Sequence, residues 1–470
     1  LGASPFSTSM NAGTVLSGEG TLGGNLTLNG STLQINAAST AGLLVTGNLN
    51  TTGGVTVDIT TLPINSNPIV VLGFSGIHTG SVSNFVLANA GYYRSPQFQI
   101  NANDVTLSMG AAGTLTWTGI GGNTWDINST SNWVDTTPSA SKFFVGDNVT
   151  FGDTGSGTIS VPSTLSAAQV VINSSQPYLF EGVGTIQTES LTKDGTGAAS
   201  IMTPWVINGP LTLTAGSLQL NVPTAQSLTS VLSGAGTLVK SGSAAFTVTQ
   251  ANSDFTGATV ISNGELIMSG TTSLGTNPNI TLGNADTLST DLVRLTLPAT
   301  GAVLSPVIGV AATTLDARIL STGGTLSNAT ITKRGTGRLR IGHASTPGTR
   351  TNYVTGTSSI TIEAGTLAGA SEIPFSASTT VTMGNSNTGT AATVLEIPGN
   401  QTSNNDVLTM QSSLALSADA PNSEAIVRYA GGTVGSMSIN SAVALNGRDI
   451  IFEHTGTPNL LYNMQGAISG

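Results

Sequence analysis

"LSGAGTLVKSGSAAFTVTQANSDFTGATVISNGELIM", from Leu232 to Met268, sets apolar residues at alternate positions and breaks each run before it could fill three helical turns. A period of two is the signature of a strand with one buried face. The breaks fall at Gly234, Gly236, Gly242, Gly257 and Gly264, and glycine turns a chain through left-handed backbone without steric cost. Threonine, serine and asparagine take most of the remaining places, where their hydroxyl and amide groups suit outward faces and turns. The stretch therefore reads as short strands joined at glycine corners.

The same units recur on either side of it. "LSGEGTLGGNLTLNGSTLQI" (Leu16 to Ile35) repeats the opening, while "LTKDGTGAASI" (Leu191 to Ile201) and "ITKRGTGRLRI" (Ile331 to Ile341) repeat its second half. A closing unit returns as "VISNGELIM" (Val260 to Met268), "LTLTAGSLQL" (Leu211 to Leu220) and "ITIEAGTLAG" (Ile360 to Gly369), hinged at Gly264, Gly216 and Gly365. Recurrence of this kind marks an architecture of stacked rungs. The expected fold is all-β, a right-handed parallel β-helix or β-solenoid, with Gly216, Gly236, Gly242, Gly264 and Gly365 as its turn glycines. At roughly 20 to 25 residues per rung and about 4.8 Å between rungs, the chain would make on the order of 20 rungs over about 100 Å.

Composition agrees with that reading. The chain has 470 residues, 38% hydrophobic, enough for a buried core, yet only 8% charged against roughly 25% in an ordinary globular domain. Its 59 glycines lack the third-position period of collagen. The absence of cysteine excludes a disulfide scaffold and thiolate metal sites, and it suits an exported chain. Thirteen basic against 23 acidic residues, a net charge of −10, argue against a nucleic-acid partner. No apolar run is long enough for a membrane-spanning helix. No basic and apolar leader opens the sequence.

"GAGTLVKSGSAAFTVTQANSDFTGATVISNGELIM" resembles the autotransporter-associated β-strand repeat, whose usual form is GxGTLxKxGxGTLTLxxxNTYxGxTxVxxGTL. Gly236, Thr237, Leu238, Lys240, Gly242, Asn252, Gly257, Thr259, Val260, Gly264 and Leu266 fall on that pattern, with Phe255 in place of its Tyr and Glu265 in place of its final Thr. One full copy (232–268) and several degenerate ones cover about half the chain. "TWTGIGGNTWDINSTSNWVDTTPSASKFFVGDNVTFGDTGSG" (Thr116 to Gly157) resembles the tryptophan-bearing insert that precedes such repeats in large secreted proteins of environmental bacteria. The resemblance implies export and display at a bacterial cell surface, and no particular reaction. It divides the chain into a solenoid segment at 1–115 ending in a strand-rich connector, a Trp-containing hairpin insert at 116–160, and a repeat-bearing solenoid at 161–470.

Few side chains suggest chemistry. Trp117, Trp125 and Trp133 stand eight apart and read either as a flat platform for sugar rings or as a hairpin whose indoles pack against the solenoid; the turns "GIGGN" and "NSTSN" between them favour packing. Asp126, Asp135, Asp147 and Asp153 could ligate calcium, but each has a turn context and no D-x-D-x-D-G spacing occurs, which favours turn formation. "KRGTGRLRIGH" gathers Lys333, Arg334, Arg338 and Arg340, a basic patch for an acidic polymer, a surface polysaccharide or a neighbouring subunit, or simply a solvated strand face. Alternation puts Arg338 and Arg340 on one face, Leu339 and Ile341 on the other. "GRDIIFEHTG" (Gly447 to Gly456) brings Arg448, Asp449, Glu453 and His454 together, the nearest approach to the convergent polar groups that a β-helix carbohydrate-active enzyme needs, but it reads better as a strand, Ile450 to Phe452, flanked by charged ends.

The expectation is thus a non-enzymatic extracellular structural protein, without cofactor or metal, that builds a stalk, fibre or matrix layer. Neither terminus carries a recognisable cap, so the expectation is either that a longer protein continues beyond both ends or that subunits self-associate, head to tail or laterally. A glycan-binding adhesin passenger is the alternative, and a carbohydrate-active enzyme a more remote one.

Overall fold

The computed structural model describes residues 7–37, 42–137, 139–252, 254–311, 316–321, 323–343, 352–369, 375–398, 407–410, 412–430, 436–455 and 461–470. Among these the chain is built of strands, and helix is confined to two short 3-10 turns, Val82–Asn84 and Ala90–Tyr92. No helix of the described residues is long and apolar enough to cross a membrane. The strands pair in long parallel ladders, and the fold is a parallel β-solenoid. The chain forms two compact units, residues 1–192 with 202–209, and residues 193–201 with 210–470.

The first unit begins with rungs of three strands. Ser7–Asn11, Val15–Ser17 and Gly20–Leu22 stack in register on Asn25–Asn29, Ser31–Asn36 and Leu43–Val45. Alternation decides what is inside: Leu26 and Leu28 are fully buried while Asn25 and Asn29 are exposed. An antiparallel pair, Gln97–Ile100 with Asp104–Ser108, closes this stack against Ile69–Phe74. The tryptophan segment follows in the same unit. Thr114–Trp117 pairs antiparallel with Trp133–Val134, which pairs antiparallel with Ala140–Ser141, while its other edge joins the parallel ladder through Asn148–Phe151.

Asp147 ties these two parts of the first unit together. Its carboxylate is fully buried and accepts hydrogen bonds from Arg94 Nε (2.7 Å) and Nη2 (2.8 Å) and from the amides of Gly113 (2.6 Å) and Phe144 (2.9 Å). The Arg94 guanidinium also lies 4.6 Å from the Phe144 ring centroid. A buried carboxylate needs this many donors to offset the cost of leaving water.

In the second unit one sheet runs strand upon strand from Ala198–Ile201 through Thr237–Ser241 to Ile468–Ser469, and a ten-stranded sheet runs from Gln226–Leu228 to Ile450–His454. Two inward columns hold the first of these. Leu218, Leu238, Thr259, Ile280, Ile308, Ile331, Ile360, Val381 and Leu414 stack in consecutive rungs. Beside them stack Leu220, Lys240, Ile261, Leu282, Val310, Lys333, Ile362 and Met383. Each buried aliphatic side chain contributes about 1.5 to 3 kcal/mol. The third side is broken into short ladders such as Ala302–Leu304, Thr325–Ser327 and Val354–Thr355. Rung length also departs from the expected 20 to 25 residues: Lys193 and Lys240 reach carbonyls 22 and 23 residues ahead, but Lys333 reaches one 31 residues ahead. The ladders on either side of the longer circuit remain in register.

Candidate functional site

The opening and closing units, separate motifs in the sequence, meet at one corner across neighbouring rungs. Lys193, Lys240 and Lys333 are fully buried. Lys193 Nζ donates to the carbonyls of Asp194 (2.6 Å), Gly195 (2.8 Å) and Ala215 (3.4 Å). Lys240 donates to Gly242 (2.5 Å) and Asn263 (2.6 Å), and Lys333 to Arg334 (2.6 Å), Gly335 (2.8 Å) and Ala364 (3.2 Å). The far acceptors Ala215, Asn263 and Ala364 immediately precede Gly216, Gly264 and Gly365, whose φ angles are 66°, 74° and 70°. The hinge glycine of one rung therefore seats its preceding carbonyl over the lysine of the rung before.

Burial outweighs the attraction of these carbonyls and lowers the lysine pKa values. It brings Lys240 to about 8, against a partial opposing effect of Glu265, and Lys333 to about 8. Lys193 is lowered too, by burial, with Asp194 opposing. Gly242 is left-handed at φ 80°, as expected of a turn glycine. Gly236 is not; its place is set by close approach, since a Cβ there would lie 3.1 Å from the Leu213 carbonyl oxygen.

The tryptophans offer no platform. Trp117, Trp125 and Trp133 are 0%, 0% and 1% exposed, and the indoles pack edge to face, Trp117 with Trp133 at 5.0 Å and Trp125 with Trp133 at 5.6 Å. Phe143 and Phe151 complete the cluster at 5.4 and 5.2 Å from Trp125. Trp117 Nε1 donates to the Gly155 carbonyl at 2.9 Å. A sugar ring needs an open aromatic face, and burial removes it, so the possible glycan contact through these residues is corrected to a structural one. The aspartates are likewise committed. Asp126 accepts from Thr130, Asp135 from Thr137 and Ser139, and Asp153 from Ser174 and Ser175. Hydrogen bonds from these donors hold Asp135 and Asp153 below the ordinary carboxylate pKa.

The basic patch does not survive as a unit. Lys333 is inside, so its placement in a surface patch is corrected: its strand position belongs to an inward column. Arg334 pairs with Glu363 at 3.0 Å. Arg338 and Arg340 do point outward, with Leu339 and Ile341 buried behind them. Arg340 enters a charged column that the sequence did not reveal, because its members lie in different rungs, and Arg338 lies beside it in register with Asp316 and Thr366. Along the ten-stranded sheet Glu265, Arg294, Arg318, Arg340, Ala368, Glu396, Arg428 and Glu453 stand in register. Arg294 pairs with Glu265 (3.4 Å), Arg318 with Asp316 (2.5 Å), Arg338 with Glu396, and Arg428 with Glu453 (2.9 Å).

Three of the four members of the last cluster are also spent on structure, while Asp449 is exposed. Arg448 is buried and donates to the carbonyls of Met383 (3.0 Å), Ser417 (3.0 Å) and Ser423 (2.7 Å) and to Ser423 Oγ (2.7 Å). Glu453 pairs with Arg428, and His454 stacks on Tyr429 with centroids 5.3 Å apart. Sequence reasoning missed Lys193 and most partners of the arginine column, and it placed Arg448 among candidate reactive groups where the structure gives it a buried, bridging role. The recurring Lys two residues before a glycine, at Lys193, Lys240 and Lys333, was the one available signal for the lysines. Comparison with protein-family models, with curated proteins and with solved structures finds no match for this chain.

Proposed function

We propose that this chain is a non-enzymatic structural protein of the bacterial cell exterior, a segment of stalk, fibre or matrix layer whose working property is length and surface. One observation carries this reading. The side chains with most chemical capacity, Lys193, Lys240, Lys333, Arg448 and Asp147, direct their donors or lone pairs to backbone groups and ion pairs that join one rung or strand to another. A reactive group must be free to meet a substrate; these are engaged in holding the stack. Absence of cysteine and sparse charge suit export and close association. The likeness of 232–268 to autotransporter-associated repeats points to the cell surface.

Electron microscopy and sedimentation of the purified chain test the proposal. Elongated particles that join end to end or side by side are expected. Compact, monodisperse particles at every concentration would refute it.

A further inference from the structure

Arg340 stands apart from every other arginine of the charged column. Among the described residues it has no carboxylate within ion-pair distance; its Nε, like those of Arg294 and Arg338, is buried without a hydrogen-bond partner. Arg318 is its register partner on the preceding rung, and Arg294 lies one rung before that. Arg338, two residues away on the same strand, shares its outward face. Four guanidinium groups here meet the three carboxylates of Glu265, Asp316 and Glu396, and Glu396 is also 3.9 Å from Arg428. Burial, then the like charge of Arg338 and Arg318, holds the Arg340 pKa below its ordinary value, with Asp316 and Glu396 opposing. The charge missing from this face is negative.

We propose that Arg340, with Arg318 and Arg338 beside it, forms an oxyanion site that takes the carboxylate groups of a linear acidic polysaccharide. A guanidinium presents a planar fork that matches a carboxylate through two parallel hydrogen bonds. Arg294, Arg318 and Arg340 form a row along the stacking direction at about 4.8 Å per rung, and a row suits a chain of repeated anionic groups better than one isolated ion. Ala368, the next member of the column, is fully buried, and Arg338 reaches past its rung to Glu396, so the row ends at Arg340; the side chains of Arg318 and Arg338 beside it are 31% and 32% exposed. The inference concerns binding alone and stands whether or not the protein assembles.

The probes are polygalacturonate and inorganic phosphate, which present the same oxyanion chemistry as a polymer and as a free ion. Binding is measured at low salt by calorimetry, and melting temperature with and without each probe. Polygalacturonate is expected to bind the wild-type chain, to raise its melting temperature, and to weaken with added salt. Arg340→Gln should lower affinity by at least about ten-fold, the worth of one charge-assisted hydrogen bond. Without ligand its melting temperature should equal or exceed that of the wild type, because like-charge crowding is relieved. Arg334→Gln, at a corner already paired with Glu363, should bind as the wild type does. Equal affinity in Arg340→Gln and wild type would overturn the proposal. So would phosphate raising the melting temperature as much as polygalacturonate at equal anion concentration, which would make this a simple ion site.

Discussion

The ammonium group of Lys240 lies directly beneath Gly264 of the next rung, 2.6 Å from the carbonyl oxygen that Asn263 turns inward. Gly264 holds φ at 74°, and a Cβ on it would sit 2.5 Å from the Gly242 carbonyl oxygen and 2.8 Å from the Ser243 carbonyl carbon. The left-handed turn and the lysine are one device: the turn aims the carbonyl, and the lysine satisfies it where no water reaches.

Gly264→Ala should therefore cost more than the roughly 1 to 2 kcal/mol of a left-handed alanine, because steric overlap adds to it. Gly270 is a suitable control, since its nearest neighbour to an added Cβ is Ser273 Oγ at an ordinary 3.6 Å. Chemical denaturation of the two variants checks this. Equal midpoints would show that the rungs do not meet as described.

Stability should depend on pH in the alkaline range. Lys240 and Lys333 titrate near 8 when folded and near about 10.4 when unfolded, so between these values the unfolded chain holds more protons and stability rises with pH. Tyr93 and Tyr178 are raised to about 12, mainly by burial, so above about 10 the unfolded chain loses phenolic protons first and stability falls. Melting temperature should pass through a maximum near pH 10. Lys240→Met with Lys333→Met should flatten the rising limb and leave the falling one.

Trp125→Ala should cost about 3 to 5 kcal/mol, the usual loss for a large buried aromatic. Trp125→Phe should be far milder, because Trp125 Nε1 has no partner among the described residues and a phenyl ring discards that unmet donor. Equal losses in the two variants would show that packing is not what holds this residue.

Asp147→Ala should cost about 3 to 5 kcal/mol, since it strands the Arg94 guanidinium and leaves two amides without an acceptor. Arg94→Ala should be nearly as costly, and the double variant should cost less than the sum of the two. A double-mutant cycle by urea denaturation measures that difference.

The fold class and the apolar face of the strands were legible in the residues alone. Period-two alternation needs no partner to be legible: Leu339 and Ile341 had to face opposite to Arg338 and Arg340, and they do. The hinge glycines were legible for the same local reason, since positive φ is a property of one residue. Gly236 misled because close approach to Leu213, a contact between rungs, gives the same residue type as a turn. Everything that depends on which rung follows which was left to the tertiary structure. The spacing between Arg294, Arg318 and Arg340 varies with loop length, so no fixed period announces their column. Lys333 read as a surface charge beside Arg334, yet the stack turns it inward against Val310 and Ile362 and supplies the carbonyls that make burial tolerable. A buried cation is stable only where acceptors converge, and the rung-to-rung stack brings the last of those acceptors, the Ala364 carbonyl, to Lys333.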